Sequence, residues 1–298
     1  MAIAKDKEHA VGGDAKGAIV VTGASTGIGE ACALHLEDLG YRVFAGVRSA
    51  AAAEALVRKS RGRLTPVQLD VTSAQDIAAA ADLVARECSG AGLAGLLNNA
   101  GVAVHGPLEF LPIDAWRRQL EINVIGQVAV TQSFLPLLRM ARGRIVNMGS
   151  VSGRLAMLLG GPYCASKFAL EAITDSLRME LKPWGIEVLI VEPGGIATPI
   201  WDKGLAAAEN LIASTPPEVR ELYASALESM LRAAQKSARE AVPAQDVARV
   251  VEHAFTAAKP RTRYHVGRDA WKQIILSYLP ARLRDRLILA YLKGIKGL

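Results

Sequence analysis

The chain has 298 residues, which is long for one doubly wound domain, and its 51% of hydrophobic residues supplies ample material for a core. Its three scattered cysteines argue against a disulfide framework, and no Cys/His cluster has metal-ligand spacing, so we expect a reducing compartment and no metal site. The net charge is +6 and is unevenly distributed: the segment 259–298 has ten Lys and Arg against two acidic residues, a net charge of +8, which leaves −2 for the rest of the chain. Because no nucleic-acid recognition motif accompanies this basic segment, it does not predict nucleic-acid binding.

The N-terminal segment 1–16 is polar and charged. It lacks the apolar core of a signal peptide, so we expect a flexible tail. No run reaches the ~18 apolar residues of a membrane-spanning helix. We therefore expect a cytoplasmic protein that is soluble or at most peripheral to a membrane.

Strand and helix patterns alternate along the rest of the chain. Strands are predicted at Ala18–Thr22, Arg42–Val47, Leu64–Asp70, Leu93–Asn98, Gly143–Met148, Glu187–Glu192 and Arg263–Val266. The main helices are predicted at Glu30–Leu39, Ala74–Glu87, Ala115–Leu138 (where Pro136 can end or kink the helix), Pro162–Trp184 and Ala244–Ala257. Such alternation favours an α/β fold, a single doubly wound (Rossmann) parallel sheet with helices on both faces.

A glycine-rich turn follows the first strand. Gly23-Ala24-Ser25-Thr26-Gly27-Ile28-Gly29 joins this strand to a helix, an arrangement that places a pyrophosphate on a helix N-terminus. Gly23 would allow the tight turn, Gly27 the approach of the backbone to the phosphates, and Gly29 the close packing of the helix. The spacing differs from the commoner Gly-x-Gly-x-x-Gly fingerprint, so the glycines alone are also compatible with a turn that holds no ligand.

Tyr163 and Lys167 stand four residues apart, and Ser150 lies thirteen residues upstream of the tyrosine. A lysine at i+4 shares a helix face with the tyrosine, and its ammonium favours the phenolate, so we expect it to lower a tyrosine pKa that is ordinarily about 10. A serine hydroxyl from a strand end can bond the same reacting oxygen. Such a group suits proton exchange with an alcohol or carbonyl, although Tyr-x-x-x-Lys alone is also typical of an exposed helix pair.

The glycine-rich turn, Asn98-Asn99-Ala100-Gly101, Glu121-Ile122-Asn123-Val124, Ser150, Tyr163/Lys167 and Pro193-Gly194 occur in this order. Together they resemble the short-chain dehydrogenase/reductase family over about 17–267. Two segments, Tyr163–Pro199 and Thr262–Gly267, resemble its 17β-hydroxysteroid and retinol dehydrogenase-like branch. The resemblance implies strand order 3-2-1-4-5-6-7 in a catalytic domain at 17–267, with a substrate-covering insert at about 199–242. The segment 268–298 would then be an amphipathic helical extension.

The same resemblance implies an NAD(P)-dependent oxidoreductase. Tyr163 would act as general acid and base, while Lys167 would lower its pKa and bind the nicotinamide ribose. Ser150 would polarise the substrate oxygen, and Asn123 would hold a water that links Lys167 to solvent. The implied cofactor-binding residues are Gly23, Ser25, Thr26, Gly27, Ile28, Gly29, Arg48, Asp70, Val71, Asn99, Gly101, Tyr163, Lys167, Pro193, Gly194, Ile196 and Thr198.

Arg48 ends the second strand, where an acidic residue would bind the ribose 2′-hydroxyl of NAD. A guanidinium suits a 2′-phosphate instead, so the sequence favours NADP(H). NAD(H) stays an alternative, because Thr26 stands where NADP-preferring members often carry Arg or Lys, and because Arg48 can also be a plain surface charge.

The predicted substrate walls are mostly apolar, although core packing can explain some of them. They come from Val102–Phe110, Ser152–Gly161 and the insert after Pro199, and they include Val102, Val104, Leu108, Leu155, Met157, Leu158, Leu159 and Trp201. An apolar pocket with one polar corner fits a steroid-, retinoid- or lipid-like alcohol or ketone. The alternatives are a reductase of acyl-thioester or polyketide carbonyls and a non-catalytic NADP(H)-sensing binding protein.

Two surfaces are predicted to meet partners. The helices Ala115–Leu138 and Pro162–Trp184 form the usual dimer surface of the family, which implies a homodimer or tetramer. In the C-terminal segment, apolar residues recur at helical spacing on both sides of Pro280, between basic residues. Such helices can lie on an anionic membrane, or they can close the substrate pocket or pack on a partner subunit. The apolar set is Trp271, Ile274, Ile275, Tyr278, Leu279, Leu283, Leu287, Ile288, Tyr291, Leu292 and Ile295, and the basic set is Lys272, Arg282, Arg284, Arg286, Lys293 and Lys296.

Overall fold

Seven parallel strands form the central sheet of the computed structural model, which describes residues 16–199 and 217–294. The strands are β1 (Ala18–Val21), β2 (Arg42–Val47), β3 (Leu64–Gln68), β4 (Gly95–Asn98), β5 (Arg144–Met148), β6 (Glu187–Pro193) and β9 (Arg263–Val266), while the short β7 (Ile196–Ala197) pairs with β8 (Val242–Pro243). Their order in the sheet is β3-β2-β1-β4-β5-β6-β9. The predicted doubly wound fold and its strand order are therefore confirmed.

Ten described helices surround this sheet. They are α1 (Gly27–Asp38), α2 (Ala50–Val57), α3 (Ala74–Glu87), α4 (Ile113–Leu120), α5 (Gly126–Ala141), α6 (Gly161–Leu181), α7 (Pro217–Glu240), α8 (Ala244–Thr256), α9 (Arg268–Ser277) and α10 (Ala281–Gly294). Neighbouring residues of a strand point to opposite faces, and here both faces are covered. Val21 packs in one apolar layer with residues of α1 and α8, whereas Val20 packs in the other with residues of α3 and α5.

The predicted helix Ala115–Leu138 is not one regular α-helix. It begins earlier, at Ile113, and a π-helical turn at Glu121–Ile125 separates α4 from α5. Pro136 does not end α5, which continues to Ala141. A π-turn inserts one extra residue into the helical repeat, and such turns are frequent at functional sites.

By length and composition alone, the helical stretch Ile113–Ala141 could cross a membrane, since an 18-residue part of it has a mean hydropathy of 1.2. Its inner face nevertheless belongs to the core, since Phe134 and Leu138 are fully buried against the sheet. Asn98 of β4 also donates a hydrogen bond to Thr131 Oγ1 at 2.9 Å. These contacts identify it as a covering helix of the sheet.

The chain beyond residue 267 packs on the domain. Ala270 and Ile274 of α9 form a small buried cluster with Val151, which follows β5 and Ser150. Outside the described residues lie most of the predicted N-terminal tail, a large part of the predicted insert with Trp201, and the last predicted amphipathic positions, Ile295 and Lys296.

Candidate active site

The turn after β1 is held in place by hydrogen bonds with the residues that follow β4. Thr22 Oγ1 accepts hydrogen bonds from the main-chain N–H groups of Asn99 and Ala100, at 2.9 and 3.0 Å. The Asn99 amide in turn donates to the carbonyl oxygens of Thr22 and Gly23, at 3.0 and 3.1 Å. Asn99 therefore fastens two strand ends together at the carboxyl edge of the sheet.

The glycines of this turn leave no room for side chains. A Cβ on Gly29 would lie 2.2 Å from the carbonyl oxygen of Gly23, and a Cβ on Gly23 would lie 2.8 Å from Ala100 Cα. Gly23 and Gly27 also have φ values of +63° and +62°, which favour glycine. Helix α1 begins at Gly27, and its N-cap residue Thr26 makes no side-chain capping bond. This cradle at a helix N-terminus fits the pyrophosphate of a dinucleotide.

Ser150 follows β5 and caps the short 3₁₀ turn Val151–Gly153. Its Oγ accepts a hydrogen bond from the N–H of Ser152 at 3.1 Å, and the side chain is buried. That contact uses a lone pair of the oxygen, while the hydroxyl proton makes only a long hydrogen bond, of 3.5 Å, to the carbonyl oxygen of Pro193. The serine is thus oriented before any ligand arrives.

Tyr163 and Lys167 lie one turn apart on α6, as predicted, but the net pKa shift of the tyrosine is opposite to the one expected. Burial raises the pKa of Tyr163, and the hydrogen bond with Ser150 opposes this rise. Lys167 Nζ donates to the carbonyl oxygen of Met148 at 2.6 Å and lies 5.8 Å from the centre of the tyrosine ring. The ammonium therefore donates its hydrogen bond to the end of β5 while it lies over the tyrosine ring.

Burial lowers the pKa of Lys167 to about 8, and the charge of Glu171, one turn further along α6, opposes this effect. A buried ammonium loses solvation, so its neutral form becomes accessible near physiological pH. Lys167 can therefore take part in proton exchange as well as supply charge.

Asn123 lies in the π-turn and is fully buried. It pairs with the backbone of Val102 through two bonds, donating to the carbonyl oxygen and accepting from the N–H, both at 2.9 Å. Its amide also donates to Ser166 Oγ at 3.2 Å. Asn123 thus ties the loop after β4 to α6, next to Lys167.

These elements border one cavity of about 430 Å³, and every residue predicted for catalysis or for cofactor binding lines it. The predicted wall residues Val102, Met157 and Leu158 line it as well. The sheet brings these side chains together because the carboxyl ends of its parallel strands meet at one edge.

Four of the predicted substrate-wall residues do not line this cavity. Leu155 and Leu159 are buried in the protein interior, with 1% and 6% of their surfaces exposed, whereas Leu108 is 55% exposed. Val104 lies on the cavity loop, but its side chain is not part of the lining. Apolar residue type alone did not separate a cavity wall from core packing.

Several lining residues were not singled out from the sequence, although most of them lie in the segments that were expected to form the substrate walls, Val102–Phe110, Ser152–Gly161 and the insert after Pro199. The set includes Ala103, His105, Ser152, Gly160, Met230, Ala233, Ala234, Ser237, Asp269, Gln273 and Leu292. Met230, Ala233, Ala234 and Ser237 stand at i, i+3, i+4 and i+7 on α7, so helical periodicity could have grouped them. His105 lies in the expected wall segment Val102–Phe110, but no periodicity or spacing singles it out within that segment.

Arg48 lines the cavity at the end of β2, where its Nη1 lies 3.9 Å from Asp70 Oδ2. The side chain is 67% exposed, so this ion pair is weakly held. An anionic group on a bound dinucleotide can therefore compete for the guanidinium.

Helix α9 is anchored to the loop that follows β6. Asp269 Oδ2 accepts hydrogen bonds from the N–H of Gly195 at 3.0 Å and from Gln273 Nε2 at 3.1 Å. A Cβ on Gly194 would lie 2.3 Å from Asp269 Oδ1, so this close approach requires glycine. The C-terminal part of the chain thus helps to shape the cavity.

A buried charge cluster lies at the end of β6. Glu192 is fully buried, with Oε2 2.6 Å from His265 Nδ1 and Oε1 3.5 Å from Arg154 Nη1. Arg263 Nε donates to Glu171 Oε2 at 3.1 Å. Burial and the neighbouring Glu192 raise the pKa of Glu171 to about 8, while Arg263 opposes the rise.

Comparison with known proteins agrees with this geometry. The family model described as short chain dehydrogenase matches residues 17–209. Retinol dehydrogenase 5 of Mus musculus is 41% identical over 282 residues, which cover 91% of this chain and 87% of the relative. The 17-beta-hydroxysteroid dehydrogenase type 6 of Bos taurus is 39% identical over 279 residues, with the same two coverages.

Solved structures match over nearly the whole chain. A short-chain dehydrogenase from Streptomyces avermitilis superposes with a TM-score of 0.74 at 25% identity, covering 95% of this chain and 98% of that one. A short chain dehydrogenase from Burkholderia cenocepacia, solved in complex with NADP, has a TM-score of 0.69 at 25% identity and covers 91% of this chain and 97% of its own.

Proposed function

The chain belongs to the short-chain dehydrogenase family and is an oxidoreductase, and we propose that it interconverts a hydroxyl and a carbonyl on a hydrophobic substrate with NADP(H). One observation carries the proposal: the glycine cradle, the Ser150–Tyr163–Lys167 group and an apolar wall border the same cavity. A cofactor and a substrate bound there would meet at one polar corner.

A bound nicotinamide cofactor supplies the hydride in carbonyl reduction and accepts it in alcohol oxidation. Tyr163 gives its phenolic proton to the carbonyl oxygen in reduction and takes it back in oxidation. Ser150 holds the same oxygen through its hydroxyl proton. The raised pKa of Tyr163 keeps the phenol protonated at neutral pH, which is the form that reduction requires.

In this proposal Lys167 and Asn123 support the role of Tyr163. The Lys167 ammonium favours the phenolate that is left after proton transfer. Asn123 keeps the loop after β4 and helix α6 in register through Val102 and Ser166. The relay water that the family resemblance implies at Asn123 is part of the proposal.

The preference for NADP(H) is proposed from Arg48. Its guanidinium stands at the cavity end of β2 and is paired only loosely, with Asp70 at 3.9 Å. A 2′-phosphate would give it a bidentate partner, whereas the 2′-hydroxyl of NAD would not.

The proposed substrate class follows from the walls. Met157, Leu158, Met230 and Leu292 line the cavity with apolar side chains, next to one polar corner. Relatives named as retinol and 17-beta-hydroxysteroid dehydrogenases support a steroid-, retinoid- or lipid-like alcohol or ketone.

A panel of steroid, retinoid, fatty and aromatic carbonyls, assayed with NADPH and NADH at several pH values, tests the proposal. We expect the highest kcat/KM for a hydrophobic ketone or aldehyde with NADPH. A higher kcat/KM on an acyl-carrier thioester would contradict the proposed substrate class and favour a reductase of acyl-thioester carbonyls. NADPH binding without turnover on any carbonyl would replace the proposed reaction with a sensing role.

We also propose that the chain forms a homodimer or tetramer and that α9 and α10 contact an anionic membrane. Trp271, Ile275 and Tyr278 are 57%, 64% and 74% exposed at i, i+4 and i+7 of one helix stripe. Exposed basic side chains flank the apolar ones, among them Lys272, Arg282 and Arg286. By contrast, Ile274 packs on Val151 and Leu292 lines the cavity, so the apolar residues divide between pocket closure and an outer surface.

A further inference from the structure

His105 lines the cavity and has no role in the proposed reaction so far. It lies on the loop between β4 and α4, and its neighbours in the chain are held on both sides. The N–H of Val104 donates to Gln119 Oε1 at 2.7 Å, and the N–H of Gly106 donates to the carbonyl oxygen of Leu159 at 2.8 Å. The loop therefore presents His105 in one backbone position, as a preorganised recognition residue requires.

The imidazole stands beside the ring of Tyr163. The two ring centres are 5.9 Å apart, and the planes are tilted by 34°. Within 16–199 and 217–294, His105 makes this ring contact but no hydrogen bond and no ion pair. Polar groups inside proteins are nearly always hydrogen-bonded, so a half-buried imidazole that faces a cavity is available to a ligand.

The chemistry of the missing partner follows from the charge of the ring. Burial lowers the pKa of His105, so the imidazole is neutral at physiological pH. A neutral imidazole has one N–H donor and one acceptor nitrogen. It suits a hydroxyl or carbonyl oxygen, whereas a carboxylate would call for a cation.

We propose that His105 recognises a second, uncharged oxygen function on the substrate, close to the carbon that is oxidised or reduced. This inference rests on the proposed oxidoreductase function and narrows its substrate class to hydroxyketones, diketones or diols on a hydrophobic skeleton. The second oxygen lies at the reacting end of the substrate because His105 lies beside Tyr163, while Met230 and Leu292 supply apolar wall for the hydrocarbon.

The test compares a hydrophobic ketone with its hydroxyketone in wild type and in His105→Phe, which keeps a flat ring and removes both nitrogens. We expect the ratio of kcat/KM for the hydroxyketone to kcat/KM for the plain ketone to fall about three- to tenfold, the contribution of one neutral hydrogen bond. His105→Gln, which keeps a donor and an acceptor, should recover part of the loss. His35→Phe, on α1 and outside the cavity lining, is the matched control.

An equal loss on both substrates would mean that His105 only positions Tyr163, and it would overturn the proposal, as would no change on either. Calorimetric binding of the two ketones in the presence of NADP⁺ measures recognition without turnover. If wild type reduces neither ketone but binds the hydroxyketone more tightly, and His105→Phe abolishes that difference, the proposed reaction fails and the role of His105 stands. Equal binding of both ketones by wild type overturns the role of His105.

Discussion

Lys167 donates a hydrogen bond from Nζ to the carbonyl oxygen of Met148 at 2.6 Å. The bond joins the second turn of α6 to the last residue of β5, two residues before Ser150. It holds the helix that carries Tyr163 against the strand that delivers Ser150, so one buried cation sets the relative position of the two groups that would meet a substrate oxygen.

Tyr163→Phe should lower turnover by about 100-fold or more, because it keeps the ring and removes the transferable proton. NADPH binding, measured by fluorescence titration, should persist, since the glycine cradle is untouched. Tyr41→Phe, which alters a buried tyrosine outside the cavity lining, is the control and should keep its activity. Near-normal turnover of Tyr163→Phe would refute the assigned mechanism.

Arg48→Asp should shift the ratio of kcat/KM for NADPH to that for NADH about ten- to hundredfold toward NADH. The change removes a charge-assisted partner of the 2′-phosphate and adds a repulsive charge. Arg58→Asp is the control, because Arg58 is similarly exposed at the end of α2 and does not line the cavity. A wild type that already prefers NADH would contradict the role of Arg48.

Stability should fall as the pH rises from 6 to 8, in part because of Glu171. Its pKa is raised from 4.5 to about 8 in the folded protein, so the stabilisation is complete below about pH 4.5 and is lost progressively as the pH rises through 8. Urea unfolding at pH 6, 7 and 8 should show wild type losing on the order of 1–2 kcal/mol more than Glu171→Gln, which stays neutral. Glu180→Gln, at an exposed position near the end of α6, should behave like wild type.

The dimer surface can be tested on α6. Phe168 and Met179 are exposed and stand eleven residues apart, which is close to three helical turns, so they share one face. A charge placed there, as in Phe168→Asp, should shift sedimentation toward the monomer. Leu222→Asp, at an exposed leucine of α7, should not. A wild type that sediments as a monomer at all concentrations would count against the assembly.

Membrane contact can be tested without removing the helices that close the cavity. The double variant Trp271→Ser/Ile275→Ser changes exposed side chains only and leaves the buried Ile274 in place. Wild type should co-sediment with anionic vesicles at low salt, bind weakly to neutral ones and be released by salt, because each basic residue near the surface contributes about 1 kcal/mol.

The double variant should lose most of that binding, as should a chain that lacks Trp271–Leu298. Trp184→Ser, at an exposed tryptophan after α6, is the control and should bind like wild type. If wild type does not bind anionic vesicles at low salt, α9 and α10 serve only to close the pocket or to pack on a partner.

The alternation of strands and helices predicted the doubly wound sheet, and the family resemblance that the motifs carry implied its strand order and the meeting of the catalytic and cofactor residues. Gly23, Ser150 and Pro193 each stand at the carboxyl end of a strand of a parallel sheet, and such ends converge at one edge whatever the details of packing. The position of a motif at the end of a strand can be recognised from a short stretch of sequence, so it can be predicted without knowledge of the tertiary structure.

Only the tertiary structure decided which apolar side chains face the cavity and which lie in the core. Leu155 and Met157 are similar in a sequence pattern, yet the first is buried and the second lines the cavity. It also reversed the expected pKa shift of Tyr163, because burial depends on all the segments packed around a group and not on the one lysine four residues away. For the same reason, only the folded chain showed the contact of His105 with Tyr163: it joins the loop between β4 and α4 to the first turn of α6, two segments far apart in sequence.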